Sequence, residues 1–365
     1  MPSETTGLPV MRVENLQKWF PIRQGILDTL LSKTEPAFVR AVDGVSFTVA
    51  PGEAVGIVGE SGSGKTTIGM TVLRLHEPTG GRLVFLGRDI TNLEGNALRD
   101  FRRIAQIVFQ NPYESLNPRF TVYDTVAEPL RLHQVDTPQK QQELVRLALE
   151  RAELLPPETY YWRYPHALSG GQQQRLAIAR AIVLEPKFLV ADEPVSMLDV
   201  SIRAGILNLL KRLIQELDTA MLYISHDLAT VRYICHRTIT LYAGQIVEMG
   251  ETETLIRRPY HPYTQLLVRA IPRINTRGTR RRVLLEGEVP DLVRPPAGCR
   301  FHPRCPFATD KCANEPPPLL EVESGHFSAC HYPERAAEFR ARLESGIGID
   351  AESIVPEGES SGEAL

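Results

Sequence analysis

Residues 54–66, AVGIVGESGSGKT, decide the fold of this chain. The apolar run 54–58 predicts a short buried strand, and the residues from Thr66 to about Leu75 have the pattern of a helix. Between them, residues 59–66 match the pattern G-x-x-x-x-G-K-[ST]. Glycines in such a loop let successive backbone N–H groups and a helix N-terminus surround a phosphate chain. The alternative is a flexible turn, but the strand before the loop and the helix after it favour nucleotide binding.

The side chains of this loop have separate predicted tasks. Lys65 would reach the β- and γ-phosphates of the nucleotide, and the Thr66 hydroxyl would be a ligand of Mg²⁺. The remaining positions predicted to bind ATP are Gly59, Ser61, Gly62, Ser63, Gly64 and Thr67.

A second stretch supplies carboxylates. The apolar run 188–191 leads directly into Asp192 and Glu193. A carboxylate at the end of a buried strand is where a phosphate-loop ATPase places a residue beside its metal, so Asp192 is predicted to hold Mg²⁺. Glu193 could accept a hydrogen bond from an attacking water, or it could be a solvated loop residue. The adjacent Asp192 favours the catalytic interpretation.

The rest of the chain alternates strands with helices. Half-buried strands are predicted at 11–16, 42–49 and 82–90, buried strands at 188–191 and 221–225, and a strand–turn–strand at 238–249. A charged helical region covers about 120–184, and an amphipathic helix covers 202–217. This alternation is typical of an α/β layer with a largely parallel sheet.

Charge and hydropathy narrow the class of protein. The 365 residues contain 41 Lys and Arg against 44 Asp and Glu, a net charge of −3 that argues against a general nucleic-acid binder. No apolar run reaches the roughly 18–20 residues of a membrane-spanning helix, and the first residues lack the features of a secretory signal. We therefore expect a cytosolic protein whose contact with a membrane is made through partners.

Residues 168–172, LSGGQ, distinguish this chain from other phosphate-loop proteins. They resemble the signature sequence of ABC-type ATPases, and the other motifs of that family occur in the same order. The resemblance covers about residues 11–260 and implies an ABC-type nucleotide-binding domain with a mixed sheet core, an N-terminal antiparallel subdomain and a helical subdomain at about 111–184. The matching residues outside the signature are Gln110 after Ile107–Phe109, Ser196–Asp199, and His226 after the strand 221–225.

The resemblance also implies a role for each residue. Glu193 would polarise the attacking water, His226 would hold the γ-phosphate, and Gln110 would contact Mg²⁺ or the water. An aromatic residue near the N-terminus should stack on adenine, for which Phe20 is the first choice and Trp19 the second. In this family the signature helix acts on ATP held by the opposite subunit, so the residues expected to act in trans are Ser169, Gly170, Gly171, Gln172 and Asp199.

Further motifs resemble the ATP-binding subunits of dipeptide and oligopeptide importers. They are the segment 110–118, QNPYESLNP, the segment 261–267, HPYTQLL, and a C-terminal extension with four cysteines. The resemblance implies a second ATPase subunit, more often a paralogue than a copy, two transmembrane permease subunits and an extracytoplasmic substrate-binding protein. Nickel and some oligosaccharide importers use similar subunits, which leaves the cargo open. The resemblance implies that Tyr113, Leu116 and Phe120 line a groove for the permease, and the alternative for each residue is simple core packing.

Four cysteines lie within 32 residues: Cys299, Cys305, Cys312 and Cys330. Four thiolates can hold tetrahedral Zn²⁺ or a 4Fe-4S cluster. The spacing lacks the paired C-x2-C units of common zinc sites, and in the importer branch the resembling extension is associated with a 4Fe-4S cluster, which we therefore favour over zinc, disulfides or free thiols. The fifth cysteine, Cys235, is predicted to be a buried apolar residue.

The sequence thus predicts an ATPase subunit on the cytoplasmic face of a membrane importer for peptides or a related small solute. Its predicted parts are a nucleotide-binding domain at 1–260, an extension at 261–333 and an acidic, disordered tail at 334–365. The alternative is a soluble ABC-type ATPase that acts on nucleic acid or ribosomes, for which the five arginines within 273–282 would be the evidence.

Overall fold

The computed structural model describes residues 8–22, 37–270 and 290–345. Two predictions lie outside these ranges, the arginine-rich stretch 273–282 and the part of the acidic tail beyond residue 345. The strands are β1 (Met11–Pro21), β2 (Phe38–Val49), β3 (Ala54–Val58), β4 (Gly80–Phe85), β5 (Arg88–Asp89), β6 (Ala105–Val108), β7 (Phe188–Asp192), β8 (Ala220–Ser225), β9 (Arg237–Tyr242), β10 (Gln245–Glu251), β11 (Leu320–Glu323) and β12 (His326–Ser328).

The helices begin with the one that follows the phosphate loop. They are α1 (Lys65–Val72), α2 (Gly95–Ile104), α3 (Pro112–Ser115), α4 (Val122–Leu132), α5 (Pro138–Arg151), α6 (Gly170–Ile182), α7 (Val200–Leu217), α8 (Leu228–Ile234), α9 (Thr252–Arg257), α10 (Pro262–Ala270), α11 (Asp310–Asn314) and α12 (Ala336–Ser345). None of these helices combines the length and the apolar character that crossing a bilayer requires.

Two sheets organise the chain. The smaller one is antiparallel, in the order β2-β1-β4-β5. The larger one has the order β11-β12-β10-β9-β3-β8-β7-β6, with parallel pairing from β9 to β6 and antiparallel pairing from β9 to β11. The prediction of a mixed sheet with helices and an N-terminal antiparallel sheet is confirmed.

Two apolar cores cover the two faces of the larger sheet. One contains Ile57 of β3 and Ile68 of α1 together with the inner face of the smaller sheet. The other lies beneath α4 to α8 and includes Leu176 of α6 and Leu210 of α7. All five residues of β3 are buried, as expected for a central strand of a parallel sheet that is covered on both faces. The packing on both faces therefore fixes the position of Val58, after which the phosphate loop begins.

The structure corrects two sequence predictions. The strand predicted at 82–90 is two strands joined at Leu86 and Gly87, whose positive φ angles of 48° and 79° form a tight turn. The tail predicted from residue 334 begins with ordered structure, because α12 buries Phe339 and Leu343 against the rest of the chain. The predicted tail can therefore start no earlier than the end of α12.

The C-terminal residues are joined to the main sheet. Strand β12 pairs with β10, so that β11 and β12 extend the larger sheet at one edge. Phe301 is buried and contacts Tyr242 and Tyr263 at ring-centroid distances of 5.1 and 5.4 Å. Residues 290–345, which we call the C-terminal segment, thus pack directly on the part of the chain that carries the phosphate loop.

Candidate functional site

The phosphate loop, residues 59–66, connects the end of β3 to the start of α1. Gly64 has a φ of 103°, and a Cβ at this position would stand 2.1 Å from the Ala41 carbonyl oxygen. Only glycine fits such a conformation and such a close backbone approach. On the other side, the Gly244 N–H donates to the Ser63 carbonyl oxygen at 2.9 Å. The loop is therefore held between β2 and the turn that joins β9 to β10.

Lys65 and Ser63 present polar groups inside this loop. The Lys65 ammonium donates to the carbonyl oxygens of Gly59 and Glu60, both at 2.8 Å. Burial lowers the pKa of Lys65, although nearby carboxylates including Glu193 oppose the shift. The Ser63 hydroxyl is buried and has no hydrogen-bond partner in the described part of the chain. A buried cation bonded to neutral oxygens and an unsatisfied hydroxyl both fit a site that accepts phosphate oxygens.

Thr66 and Asp192 meet at the end of β7. The Thr66 hydroxyl donates to the Asp192 carboxylate at 3.2 Å. Burial raises the pKa of Asp192, with the hydrogen bond from Thr66 acting in the opposite direction. A hydroxyl and a carboxylate at this separation are hard oxygen donors of the kind that Mg²⁺ prefers. Two of the three predicted magnesium residues, Thr66 and Asp192, are therefore adjacent in the fold although 126 positions apart in the chain, whereas the third, Gln110, bonds to Glu193.

Glu193 lies between Gln110 and His226, two of the four other residues predicted to be catalytic, which also include Lys65 and Asp192. Its carboxylate accepts a hydrogen bond from the Gln110 amide nitrogen at 2.9 Å and faces His226 Nδ1 at 3.0 Å. Glu193 also has a φ of 46°, a left-handed conformation that costs about 1 kcal/mol or more for a residue with a side chain. Such strain is concentrated at functional sites, where it holds a side chain in a chosen direction. Gln110, Glu193 and His226 follow the ends of β6, β7 and β8, and the first and last of them both contact the Glu193 carboxylate.

The signature residues begin α6. The Ser169 hydroxyl caps the helix by accepting from the Gln172 N–H at 3.4 Å, and the Gln172 side chain accepts from the Ser169 N–H at 3.0 Å. This reciprocal capping box satisfies the Ser169 and Gln172 N–H groups. The other N–H groups of the first turn have no acceptor within the helix and point out of its N-terminal end. Asp199 precedes α7 without a side-chain capping bond. Among the described residues, Ser169 and Gln172 bond to each other, and the Gln172 side chain donates to the Tyr160 hydroxyl at 3.4 Å rather than to the phosphate loop.

The two aromatic candidates for adenine lie next to each other on β1. The Phe20 ring contacts His76 edge-on at 5.4 Å and lies under the Lys18 ammonium at 4.9 Å. The Trp19 indole N–H donates to Asp43 at 3.2 Å, and the Arg40 guanidinium covers its ring at 4.8 Å. Both side chains are half-buried, so the choice of Phe20 stays a prediction.

The four C-terminal cysteines line one small cavity with Phe301, Phe307 and Phe339. Burial raises the pKa of the Cys299 and Cys305 thiols and raises that of Cys330 to about 12. Within the described ranges, no group of three or more His, Cys, Asp or Glu side chains is placed to hold a metal ion. The arrangement does not meet the requirement of zinc for four ligands around one ion. Cys235 is buried, as predicted.

Glu60, the second residue of the phosphate loop, makes contacts that no motif of the sequence predicts. Its carboxylate pairs with Arg304 at 2.8 Å, and its backbone N–H donates to the Tyr263 hydroxyl at 2.8 Å. Both partners are more than 200 residues away in the chain. Tyr263 belongs to the HPYTQLL stretch that the sequence singled out, but no periodicity or spacing could have linked it to Glu60.

Comparisons with known proteins agree with this geometry. Residues 42–196 match the family model described as ABC transporter, and residues 247–312 match the model described as the C-terminal region of oligopeptide/dipeptide transporters. A dimeric ATP-binding cassette in a post-hydrolysis state, bound to ADP and Pi, has a TM-score of 0.57 and 29% identity, and the match covers 66% of this chain and 98% of that one. A component of the cbiONQ ABC transporter complex of Clostridium perfringens has a TM-score of 0.58 and 26% identity, covering 68% and 91% of the two chains.

Curated relatives are more similar in sequence. A putative peptide import ATP-binding protein of Brucella ovis is 48% identical over 325 residues, which cover 89% of this chain and 98% of the relative. The oligopeptide transport ATP-binding protein AppF of Bacillus subtilis is 44% identical over 325 residues, covering 88% and 97%. With these identities over nearly the full length of the relatives, and with the phosphate loop and carboxylates in place, the chain belongs to the ABC transporter family and is one of its ATPases.

Proposed function

We propose that this chain is the ATP-hydrolysing subunit of an importer for peptides. The observation that carries the proposal is the placement of Glu193 between Gln110 and His226, beside the Thr66–Asp192 pair. The match of residues 247–312 to the oligopeptide/dipeptide transporter region and the names of the relatives support the peptide cargo. No observation within the described ranges favours the alternative of an ATPase that acts on nucleic acid or ribosomes.

The loop residues fit a bound nucleoside triphosphate. Lys65 would exchange its two carbonyl partners for phosphate oxygens, and the Ser63 hydroxyl would gain the partner that it lacks. Thr66, Asp192 and Gln110 would hold Mg²⁺, which when bound neutralises charge on the phosphate chain. Phe20, or else Trp19, would stack on adenine.

Glu193 would act on the water that attacks the γ-phosphate. Its carboxylate would accept a hydrogen bond from this water and hold the proton as the new P–O bond forms and the bond to ADP breaks. Gln110 and His226 fix the carboxylate from two sides, so that little reorganisation is needed at the moment of reaction. His226 is more than half exposed, which leaves its ring free to face the nucleotide as well.

Replacing Glu193 with Gln tests this assignment. Glu193→Gln keeps the size of the side chain and a hydrogen-bonding amide but removes the base, so the steady-state ATPase rate should fall by roughly 10²-fold or more while MgATP still binds. Glu185→Gln is a matched control, because Glu185 is also a loop glutamate with a positive φ of 48°, and it pairs on the surface with Arg151. An unchanged ATPase rate in Glu193→Gln would show that another group is the base.

We propose further that two ATPase subunits act together. The exposed Ser169 and the first turn of α6 present N–H groups that no residue of the phosphate loop meets within one chain, and a helix N-terminus attracts phosphate charge. Ser169, Gly170, Gly171, Gln172 and Asp199 would therefore contact ATP held by a paralogous or identical partner. Ser169→Arg should abolish hydrolysis by the assembled pair but leave MgATP binding to the separate chain intact. Loss of binding in the separate chain would contradict action in trans.

The membrane partners would be two permease subunits, with an extracytoplasmic protein that delivers peptide, and the chain would lie on the cytoplasmic face. Tyr113 of α3 is 64% exposed, which suits a contact with a permease, whereas Leu116 is buried in the core and Phe120 is half-buried. Affinity purification of the full chain in detergent should recover integral-membrane partners. Salt-sensitive recovery of nucleic acid instead would support the alternative function.

For the cysteines, we propose a 4Fe-4S cluster. Its support is that Cys299, Cys305, Cys312 and Cys330 line one cavity and that the Tyr332 N–H donates to the Cys330 sulfur at 3.4 Å. Anaerobic preparation should yield a brown protein with about four irons per chain. Cys312→Ser should lower the iron content, whereas Cys235→Ser, at a buried cysteine outside the cavity, should not. A colourless protein with stoichiometric zinc would overturn the proposal.

A further inference from the structure

We propose that Arg304, assisted by Arg300, is a positioning residue of the ATP site: the C-terminal segment holds the phosphate loop and neutralises its carboxylate. This inference rests on the use of ATP at residues 59–66. It assigns to the C-terminal segment a part in nucleotide affinity.

The first contact is a bidentate ion pair between Arg304 and Glu60. Two guanidinium nitrogens of Arg304 donate to the two carboxylate oxygens of Glu60, at 2.8 and 3.2 Å. Only 5% of the Arg304 side chain is exposed, and the same guanidinium donates to the Tyr242 hydroxyl at 3.3 Å. A bidentate pair of this kind fixes orientation as well as charge, and its burial protects it from screening.

The backbone of Glu60 is held as well. Its N–H donates to the Tyr263 hydroxyl at 2.8 Å, and its carbonyl oxygen accepts from the Lys65 ammonium at 2.8 Å. Tyr263, from the C-terminal half of the chain, therefore holds the backbone of Glu60, to which the phosphate-binding Lys65 is bonded. A shift of Glu60 would move an anchor of Lys65.

Charge gives Arg304 a second effect. Glu60 places a carboxylate in a loop that would surround a triphosphate, and an unpaired carboxylate there would repel the ligand. The Arg304 guanidinium cancels this charge. The ion pair should therefore matter more for nucleotide affinity than a contact of purely structural value.

Arg300 makes the second contact, through the turn that joins β9 to β10. Its guanidinium donates to the Ala243 carbonyl oxygen and pairs with Asp43 on β2. The Gly244 N–H in the same turn donates to the Ser63 carbonyl oxygen of the loop. Asp43 in turn accepts from the Trp19 indole, a candidate for adenine stacking. Arg300 is thus connected through Asp43 to one of the two aromatic candidates for adenine.

The two arginines belong to one short stretch of the C-terminal segment. Arg300 follows Cys299, Arg304 precedes Cys305, and the helical turn His302–Arg304 ends at the second arginine. Phe301, which directly precedes this turn, is 1% exposed and packs on Tyr242 and Tyr263. The geometry that brings the cysteines together is therefore the same geometry that directs the arginines at the loop.

The test is a double-mutant cycle on the full chain, with the Kd of MgATP measured by equilibrium binding. Arg304→Gln should raise the Kd by roughly tenfold, equivalent to about 1.4 kcal/mol, because it leaves the Glu60 carboxylate unpaired. Glu60→Gln, whose amide oxygen can still accept from Arg304, should bind at least as tightly as the wild type, and Glu60→Gln with Arg304→Gln should bind more tightly than Arg304→Gln alone, because it removes the unpaired charge. Arg258→Gln is the control, because the Arg258–Glu323 pair joins the same two parts of the chain through α9 and β11.

Each outcome decides the inference. Rescue by the double variant supports it, since a merely unfolded segment would not be restored by a second substitution. An unchanged Kd in Arg304→Gln overturns it, and so does equal weakening in the single and double variants. If Arg304→Gln does not fold, the Glu60→Gln Kd decides, and a tenfold rise there overturns the inference. A wild-type chain that binds no MgATP would instead contradict the use of ATP itself.

Discussion

Glu248 on β10 offers a sharp test of how the C-terminal segment is joined to the ATPase. The carboxylate is fully buried, and three donors converge on it. One oxygen accepts from the Tyr260 N–H at 2.7 Å and from His326 Nε2 at 2.8 Å, and the other accepts from the His261 N–H at 2.9 Å. Strand β12, which carries His326, is thereby tied to β10 through side chains as well as through backbone pairing.

Glu248→Gln keeps the shape of this side chain but replaces one oxygen with an NH₂ group. The amide can still accept the two bonds at one oxygen, now without the help of a charge, while its NH₂ faces the His261 N–H, donor against donor. One buried N–H left unsatisfied costs about 1–3 kcal/mol, and the two weakened bonds add about 1 kcal/mol. We therefore expect the free energy of unfolding to fall by about 3 kcal/mol.

Equilibrium urea unfolding, followed by tryptophan fluorescence and by circular dichroism, measures this loss. The matched control is Glu251→Gln in the same strand, where an exposed carboxylate caps α9 by accepting from the Thr254 N–H at 2.9 Å. That substitution should cost less than about 1 kcal/mol. Equal losses in the two variants would refute the view that Glu248 is the centre of a buried network.

Two further predictions concern the nucleotide site. Gly64→Ala should abolish MgATP binding in an equilibrium assay, because its Cβ would stand 2.1 Å from the Ala41 carbonyl oxygen at a φ of 103°. Gly62→Ala, whose added Cβ would have no atom within 4 Å, should keep measurable binding. Equal effects of the two substitutions would mean that the strain of a positive φ, rather than the steric clash with Ala41, abolishes binding. Asp192→Asn should raise the free energy of unfolding in Mg²⁺-free buffer at pH 7 while it removes Mg²⁺-dependent ATPase activity. Because burial raises the folded-state pKa of Asp192, the ionised form disfavours folding above that pKa, and the advantage of Asn should disappear as the pH falls through it toward the ordinary value of 3.8. An advantage that is independent of pH would mean that packing, not charge, causes it.

The sequence predicted the parts of the fold that short-range pattern controls. The loop 59–66 was found because its glycines and lysine follow a five-residue apolar strand, and Asp192 was found because it ends another. The meeting of Gln110, Glu193 and His226 was implied by resemblance and is observed as hydrogen-bond distances. Such residues follow the carboxyl ends of neighbouring parallel strands, which is why motif order alone was informative.

What the sequence could not predict depends on pairings between distant residues. The strand expected at 82–90 breaks at Leu86, a residue with no turn preference that adopts a positive φ before Gly87. Strands β11 and β12 contain only four and three residues, too few for a periodic signal, and their place in the sheet is fixed by β10. The tail predicted from residue 334 overlaps α12, because Phe339 packs on Phe307, which is distant in sequence.

A series of hydrogen bonds connects the buried Glu248 to Glu60 of the phosphate loop. Glu248 holds the N–H groups of Tyr260 and His261, and the His261 ring in turn accepts from the Tyr263 N–H at 3.1 Å. Tyr263 then reaches the Glu60 N–H with its hydroxyl. Glu248→Gln should therefore raise the Kd of MgATP in buffer without urea, in which the chain is still folded. Tyr263→Phe, which removes only the last hydroxyl, should raise the Kd without an equal loss of stability. If Glu248→Gln lowers stability and leaves the Kd unchanged, then the connection ends at His261, and the phosphate loop is held by Arg304 and the β9–β10 turn alone.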